Sequence, residues 1–241
     1  EGPRARKVGL GALGAFLLAP FLYWGLLPTF LQNVDDDVAF AESVDAGRGS
    51  ASVAATAALL DRELNAYGWT PNLPFFYPLS SIGADNMPNY QRGIVSALHR
   101  FSLELSDQIG RTRGSSQVDP DLDEAAGLLR YPPDIWFVDS NATALFTTPS
   151  HEQYRTAMAA LQRYQQRLSA GQATFDRRSD NLLAALDRIA LDLGSASATL
   201  DDGVRARGFT PFDFAIDDRF YEIKGRLYAY FIVARALRAD F

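Results

Sequence analysis

Few residues in this chain have the types and spacing that chemistry needs. It has two histidines, His99 and His151, and no cysteine. A zinc site takes three or four ligands, and neither histidine has a second one a helical turn away. The missing cysteines exclude disulfides, thiolate metal sites and a cysteine nucleophile. The chain has no G-x-S-x-G elbow for a hydrolase nucleophile and no G-x-x-x-x-G-K-[ST] loop for a nucleotide. His99, between Leu98 and Arg100 on an expected helix, reads as a packing or surface residue.

Glu104, Asp107 and Arg111 fall at i, i+3 and i+7, on one face of a helix. A buried carboxylate pair there would suit acid–base work on a glycan such as peptidoglycan. The plainer expectation is an ion-pair network with Arg177 and Arg178. The stretch Gly110 to Ser116 sets Arg111 and Arg113 among many backbone donors, an anion-binding composition without the preceding strand of a phosphate cradle. Phe75, Phe76 and Tyr77 stand between Pro74 and Pro78. They form either an exposed docking patch or a plug at the end of a bundle, and Phe209, Phe212 and Phe214 pose the same alternatives. No catalytic, cofactor-binding or metal-ligating residue is assigned. The interaction candidates here are Phe75, Phe76, Tyr77, Arg111 and Arg113.

The elements that carry these residues begin with an apolar run. From Val8 to Leu31 there are 24 residues without a charge, and a helix of that length covers roughly 36 Å. That exceeds a hydrocarbon core of about 30 Å and predicts a transmembrane helix over 8–31, after a cytoplasmic stub at 1–7. Arg4, Arg6 and Lys7 precede the run and Asp35, Asp36 and Asp37 follow it, which puts the N-terminus in the cytoplasm and the body outside. A cleaved signal peptide ending near Ala39-Phe40-Ala41 competes, but its apolar core is expected to be only about 7–15 residues. Gly11, Ala15 and Ala19 place a small residue at every fourth position, where another membrane helix can approach.

A polar linker over 32–50 leads to a helical domain over 51–241. The whole chain carries −6; residues 1–7 contribute +2, leaving −8 for the rest, a balance that argues against nucleic acid. Ala51 to Tyr67 reads as a helix stopped by Gly68. Pro71, Pro74, Pro78 and Pro88 forbid a regular helix through the next stretch, and periodicity resumes from Asn89 to Ile109. Asp119-Pro120 opens a short helix ending near Arg130, and Ile135 to Val138 reads as briefly extended. Ser150-His151-Glu152-Gln153 has the pattern of a capping box. From Tyr154, steps of seven give Leu161, Leu168, Phe175, Leu182, Ile189 and Ala196, a coiled-coil-like seam. A continuous helix from Ser150 to Arg207 would be about 85 Å long, with Gly171 and Gly194 as break points. The last helix, Asp217 to Ala239, offers an apolar face through Phe220, Ile223, Leu227, Tyr230, Phe231 and Ala234.

LDRELNAYGWTP at 60–71 is echoed by LDDGVRARGFTP at 200–211, and Gly49-Ser50-Ala51-Ser52 by Gly194-Ser195-Ala196-Ser197. Either the unit is duplicated or both stretches are ordinary helix stops, with glycine at C′ and proline after it.

The run GWTPNLPFF…DNMPNYQRGIVSALHRFSLELSDQIGRTRGSSQVDPDLDEA, with RRSDNLLAALDRIALDLGSAS further on, resembles an uncharacterised proteobacterial family, a domain of unknown function. The likeness covers most of residues 60–240 and is most specific from Asp107 to Pro120. It implies an inner-membrane protein of a Gram-negative bacterium facing the periplasm, and no activity. The expectation is therefore an all-α chain: one transmembrane helix, then a periplasmic bundle with a long helix and an internal echo. Its expected role is a non-enzymatic accessory subunit of an inner-membrane assembly, with other membrane proteins and the bilayer as partners and no cofactor. A peptidoglycan-related enzyme using Glu104 and Asp107 is one alternative. A homo-oligomeric scaffold paired through the Tyr154–Ala196 seam is the other.

Overall fold

The computed structural model describes residues 14–74, 76–77, 85–111, 118–137, 146–207 and 214–241. All the regular elements among them are helical. A short helix α1 (Phe40–Ser43) precedes α2 (Ala51–Asp61), which continues as a π-helical turn over Arg62–Ala66. Next comes α3 (Asn86–Glu104), continued by a second π turn over Leu105–Ile109. The rest are α4 (Pro120–Leu129), α5 (Ser150–Ser169), α6 (Ser179–Arg207) and α7 (Phe214–Asp240).

The transmembrane expectation is corrected. Among the described residues no helix is long and apolar enough to cross a membrane. The first part of the expected span, with Gly11, lies outside the described residues. From residue 14 the run is α-helical to 20, π-helical over Phe21–Leu26 and α-helical again over Leu27–Leu31. The cause lies in the sequence. Pro28 has no N–H to return to the turn before it, and Leu27 N–H reaches back to Leu22 O, one residue further than in an α-helix. The three aspartates bind the bundle: Asp35 pairs with Arg62, Asp36 with Lys224, and Asp37 caps the N–H of Ala39.

Most helix boundaries follow the local signals. Ser50 caps α2 by accepting from Val53 N–H, and Gly68 takes the left-handed conformation (φ 80°) that ends the π turn. Asp119 caps α4 and Pro120 occupies its first turn. The capping box at Ser150 is not formed. Pro149 is the N-cap of α5, and the Ser150 hydroxyl turns away to donate to Pro132 O and Ile135 O.

The long helix is two helices. Gly171 takes φ 70°, and α5 folds back through residues 170–178 into α6. The seam survives the break because it belongs to the core of one chain. Tyr154 and Leu161 are fully buried, Ala196 is nearly so, and Leu168, Phe175, Leu182 and Ile189 pack partly buried against the core. The seam residues thus pack within one chain, Leu168, Phe175, Leu182 and Ile189 only in part. The upstream echo is not structural: Ser50 starts a helix, whereas Ser195 lies inside α6. Gly208 and the aromatic loop after it lie outside the described residues, as do Phe209 and Phe212.

The core is centred on α3 and α7, the most extensively paired helices, with α2, α4 and α5 packed around them. The expected face of α7 is corrected in part: Tyr230 is buried and Ile223 and Ala234 are half-buried, but Phe220, Leu227 and Phe231 are exposed, and Tyr228, Ala229, Ile232, Val233, Ala236 and Leu237 are the other buried hydrophobic residues. Two polar ties close the bundle. Asp240, at the end of α7, accepts from Ala51 N (2.7 Å), Ser52 N (2.9 Å), Ser50 Oγ (2.8 Å) and Ser52 Oγ (2.6 Å), capping α2 from a distant helix. Arg62, in the first π turn, donates to Glu63, to Tyr228 Oη and to the carbonyl of Asp35, beneath the ring of Phe40. Burial works against the Arg62 charge, but Glu63 and Tyr228 more than offset it, and its pKa stands above its ordinary value. This guanidinium holds residues 35–40 onto the bundle.

Candidate functional site

One end of the bundle gathers aromatic side chains at the surface. Phe76 and Tyr77 come from the proline-rich loop after α2, and Trp136 and Phe137 from the loop after α4. Ring centroids stand 5.5 Å apart for Phe76 and Tyr77, 6.3 Å for Phe76 and Trp136, and 5.3 Å for Trp136 and Phe137. Phe146 joins them from the segment entering α5, where Thr147 N–H donates to Phe137 O at 3.1 Å. Phe76, Tyr77, Phe137 and Phe146 remain 45, 44, 50 and 73 % exposed.

These rings sit on a built platform rather than a slack loop. The carbonyls of Tyr131, Pro132, Pro133 and Ile135 each receive a donor from the bundle. Tyr154 Oη donates to Tyr131 O (2.7 Å), Ser150 Oγ to Pro132 O (2.7 Å) and Trp69 Nε1 to Pro133 O (2.9 Å). Ile135 O accepts from Asn72 Nδ2 (3.0 Å) and from Ser150 N (2.9 Å). Trp69 packs edge-on against Tyr154, centroids 5.0 Å apart, and so fixes the first loop to the helix under the second. Prolines at 71, 74, 132 and 133 explain why neither loop continues a helix, and fixed φ angles limit what each loop loses on ordering.

His151 belongs to this support. Asn72 Nδ2 already donates to a carbonyl, which identifies it as the amide nitrogen, so His151 Nδ1 (3.0 Å) must accept from it. The ring proton is then on Nε2, which lies 3.5 Å from a Glu152 carboxylate oxygen. Burial, aided by Arg155, lowers the His151 pKa and keeps the ring neutral. His99 is likewise lowered by burial, and its Nδ1 lies 3.1 Å from Ala126 O.

The other candidates are dispersed. Arg111 pairs with Asp107 at 3.4 Å on the surface, and Arg113 and Phe75 lie outside the described residues. Glu104 is buried, which raises its pKa, and its nearest cation is Arg188 at 3.9 Å. Arg178 instead pairs with Asp176 and Asp180, so the network expected from Arg177 and Arg178 is not formed. Each carboxylate has its own arginine partner, and the charge of Asp107 adds to burial in raising the Glu104 pKa. Ala15 and Ala19 are exposed on the N-terminal helical segment, as are Phe16, Phe21, Trp24 and Phe30. Among the described residues no group of three or more His, Asp or Glu side chains is placed to hold a metal ion.

Sequence reasoning found the first half of the platform and missed Trp136, Phe137 and Phe146. The available signal was the recurrence of aromatics shortly after prolines, directly at 74–77 and two residues further on at 132–137.

No curated protein and no solved structure matches the chain. One family model, described as an uncharacterised protein conserved in bacteria (DUF2333), matches residues 17–211, from the N-terminal helical segment through both platform loops to the end of α6. That is most of the chain, so it belongs to the DUF2333 family of uncharacterised bacterial proteins.

Proposed function

We propose that this chain is a non-enzymatic docking subunit that receives another protein on its aromatic platform and so joins a larger assembly. The observation that supports the reading is a contiguous set of exposed aromatic rings on loops held by side-chain hydrogen bonds. Aromatic residues dominate the energetic centres of protein interfaces, and a rigid platform loses little entropy on binding. The N-terminal helical segment, apolar and exposed over residues 14–27, adds a second contact to the same assembly. Glu104 and Asp107 each have an arginine partner, Arg188 at 3.9 Å and Arg111 at 3.4 Å, which supports ion pairing over acid–base work.

The experiment places a photo-crosslinking residue at position 76 or 137 of the full chain in cells, with position 48 as control. A single protein captured in stoichiometric yield from 76 and 137, and released by Trp136→Ala, supports docking. A monomer that crosslinks to nothing, or equally from all three positions, overturns it. Flotation of the purified chain on lipid vesicles, abolished by the same substitution, assigns the platform to lipid and also overturns it.

A further inference from the structure

A cleft of about 290 Å³ lies between α3, the end of α4 and α7. Its wall on α3 is Arg92, Val95, Ser96 and His99; Leu129, Arg130, Tyr131 and Pro133 form the facing wall, with Tyr154 and Glu222 completing it. We propose that this cleft binds a small organic carboxylate, its oxyanion held by Arg92 and Arg130 and its apolar body lying on Val95, Leu129 and Pro133.

The reasoning is one of charge and shape. In an acidic chain most arginines are tied to carboxylates: Arg62, Arg100, Arg163, Arg167 and Arg226 all are. Arg92 donates to the neutral amide oxygen of Asn89 at 2.6 Å and forms no ion pair among the described residues, although its charge also acts on Asp218. Arg130, at the exposed end of α4, forms no ion pair among the described residues, and its charge acts on His99 across the cleft. The one carboxylate on the wall, Glu222, is engaged by Arg226 at 2.9 Å. His99 donates its Nδ1 proton to Ala126 O and stays neutral, so the positive charge offered is that of the two guanidiniums. Planar guanidinium forks match carboxylate oxygens, and an apolar wall favours an organic anion over a hydrated inorganic one. The volume sits at the lower end of small-molecule sites, which sets the ligand at the size of a single ring or short chain.

The test uses the full chain and benzoate as probe, followed by chemical-shift perturbation and calorimetry, with inorganic phosphate in parallel. Arg92→Gln and Arg130→Gln are each expected to weaken benzoate binding about tenfold, the usual loss of a charge-assisted hydrogen bond. Arg48→Gln, remote and exposed, leaves it unchanged. Ser96→Phe, which fills the cleft and keeps both charges, is expected to abolish binding and serves if an arginine variant misfolds. Absence of benzoate binding, or binding indifferent to Arg92, Arg130 and Ser96, overturns the proposal. Phosphate bound as tightly as benzoate overturns the organic part of it.

Discussion

Gly93 and Gly225 meet where α3 crosses α7, each pressed against the backbone of the other helix. A Cβ on Gly93 would fall within the Glu222 carbonyl oxygen, and one on Gly225 within the Tyr90 carbonyl oxygen. Backbone cannot rotate aside as a side chain can, so a methyl group at either position must push the helices apart. Alanine in a helix gains about 1 kcal/mol in propensity over glycine. Overpacking commonly costs about 1–3 kcal/mol, and here it disturbs the central helix pair of the core. Gly93→Ala and Gly225→Ala are each expected to lower stability despite the propensity gain. Denaturant midpoints for both, with Gly127→Ala as a control where nothing approaches, decide it. A stabilised Gly93→Ala would mean that the helices do not touch there.

Asp240 joins the end of the last helix to the start of the first helix of the core. Its carboxylate satisfies two backbone N–H groups and two hydroxyls, at a helix N-terminus where negative charge is favoured. Asp240→Ala strands those buried donors. The expected loss is about 1–2 kcal/mol, the size of a deleted N-cap, together with faster amide exchange at Ala51 and Ser52. Unchanged exchange at those two amides would show that the cap is not formed in solution.

Arg62 is the one cation reaching Glu63, the carbonyl of Asp35 and Tyr228 at once. Arg62→Met leaves the Glu63 carboxylate buried with Gln91 as its remaining side-chain donor, and is expected to cost about 3–5 kcal/mol. The double variant Arg62→Met/Glu63→Leu removes the orphaned charge and is expected to recover much of that loss. Both unfold by urea titration. If the double variant is as unstable as the single one, the cost lies in the cation–π stack with Phe40 and Tyr228 rather than in the ion pair.

The helices of this fold were largely legible because prolines and glycines stand where the chain must turn. Gly68, Asp119-Pro120 and Gly171 mark boundaries that the structure keeps. Faces were less legible than boundaries. Helix α7 is apolar around much of its circumference, so Phe220, Leu227 and Phe231 fit a helical stripe as well as the residues that are actually buried. Gly225 held part of the missing information, since a glycine within a helix can mark a close approach, as it does here, although Gly194 within α6 faces open space. In the N-terminal run, composition registers apolarity but not the π turn over Phe21–Leu26 just ahead of Pro28. The candidate site was half legible: Phe76 and Tyr77 stood out, but their neighbours come from a loop sixty residues on, which only packing reveals.

Asp218, in the first turns of α7, gives a pH dependence whose sign can be worked out. Burial, then the charge and hydrogen bond of Asp85 and the charge of Asp217, push its carboxyl up from 3.8 to about 6, with Arg92 opposing. A raised carboxyl pKa means that the folded state holds the proton more tightly than the unfolded state does. The stabilisation is therefore complete below the unfolded value and is lost as pH rises from about 3.8 through about 6. Other acidic groups with lowered values, Asp35 and Asp121, act in the opposite sense and mainly below that window. Stability measured by denaturant between pH 4 and 7 is expected to fall less steeply, or to rise, in Asp218→Asn relative to the unmodified chain. At neutral pH the same variant is expected to be the more stable of the two, because it removes the repulsion between Asp218 and its neighbours Asp85 and Asp217 while keeping a group that can hydrogen-bond. Parallel pH profiles for the two proteins would show that Asp218 titrates as an ordinary surface carboxylate and that Asp85 does not share its proton.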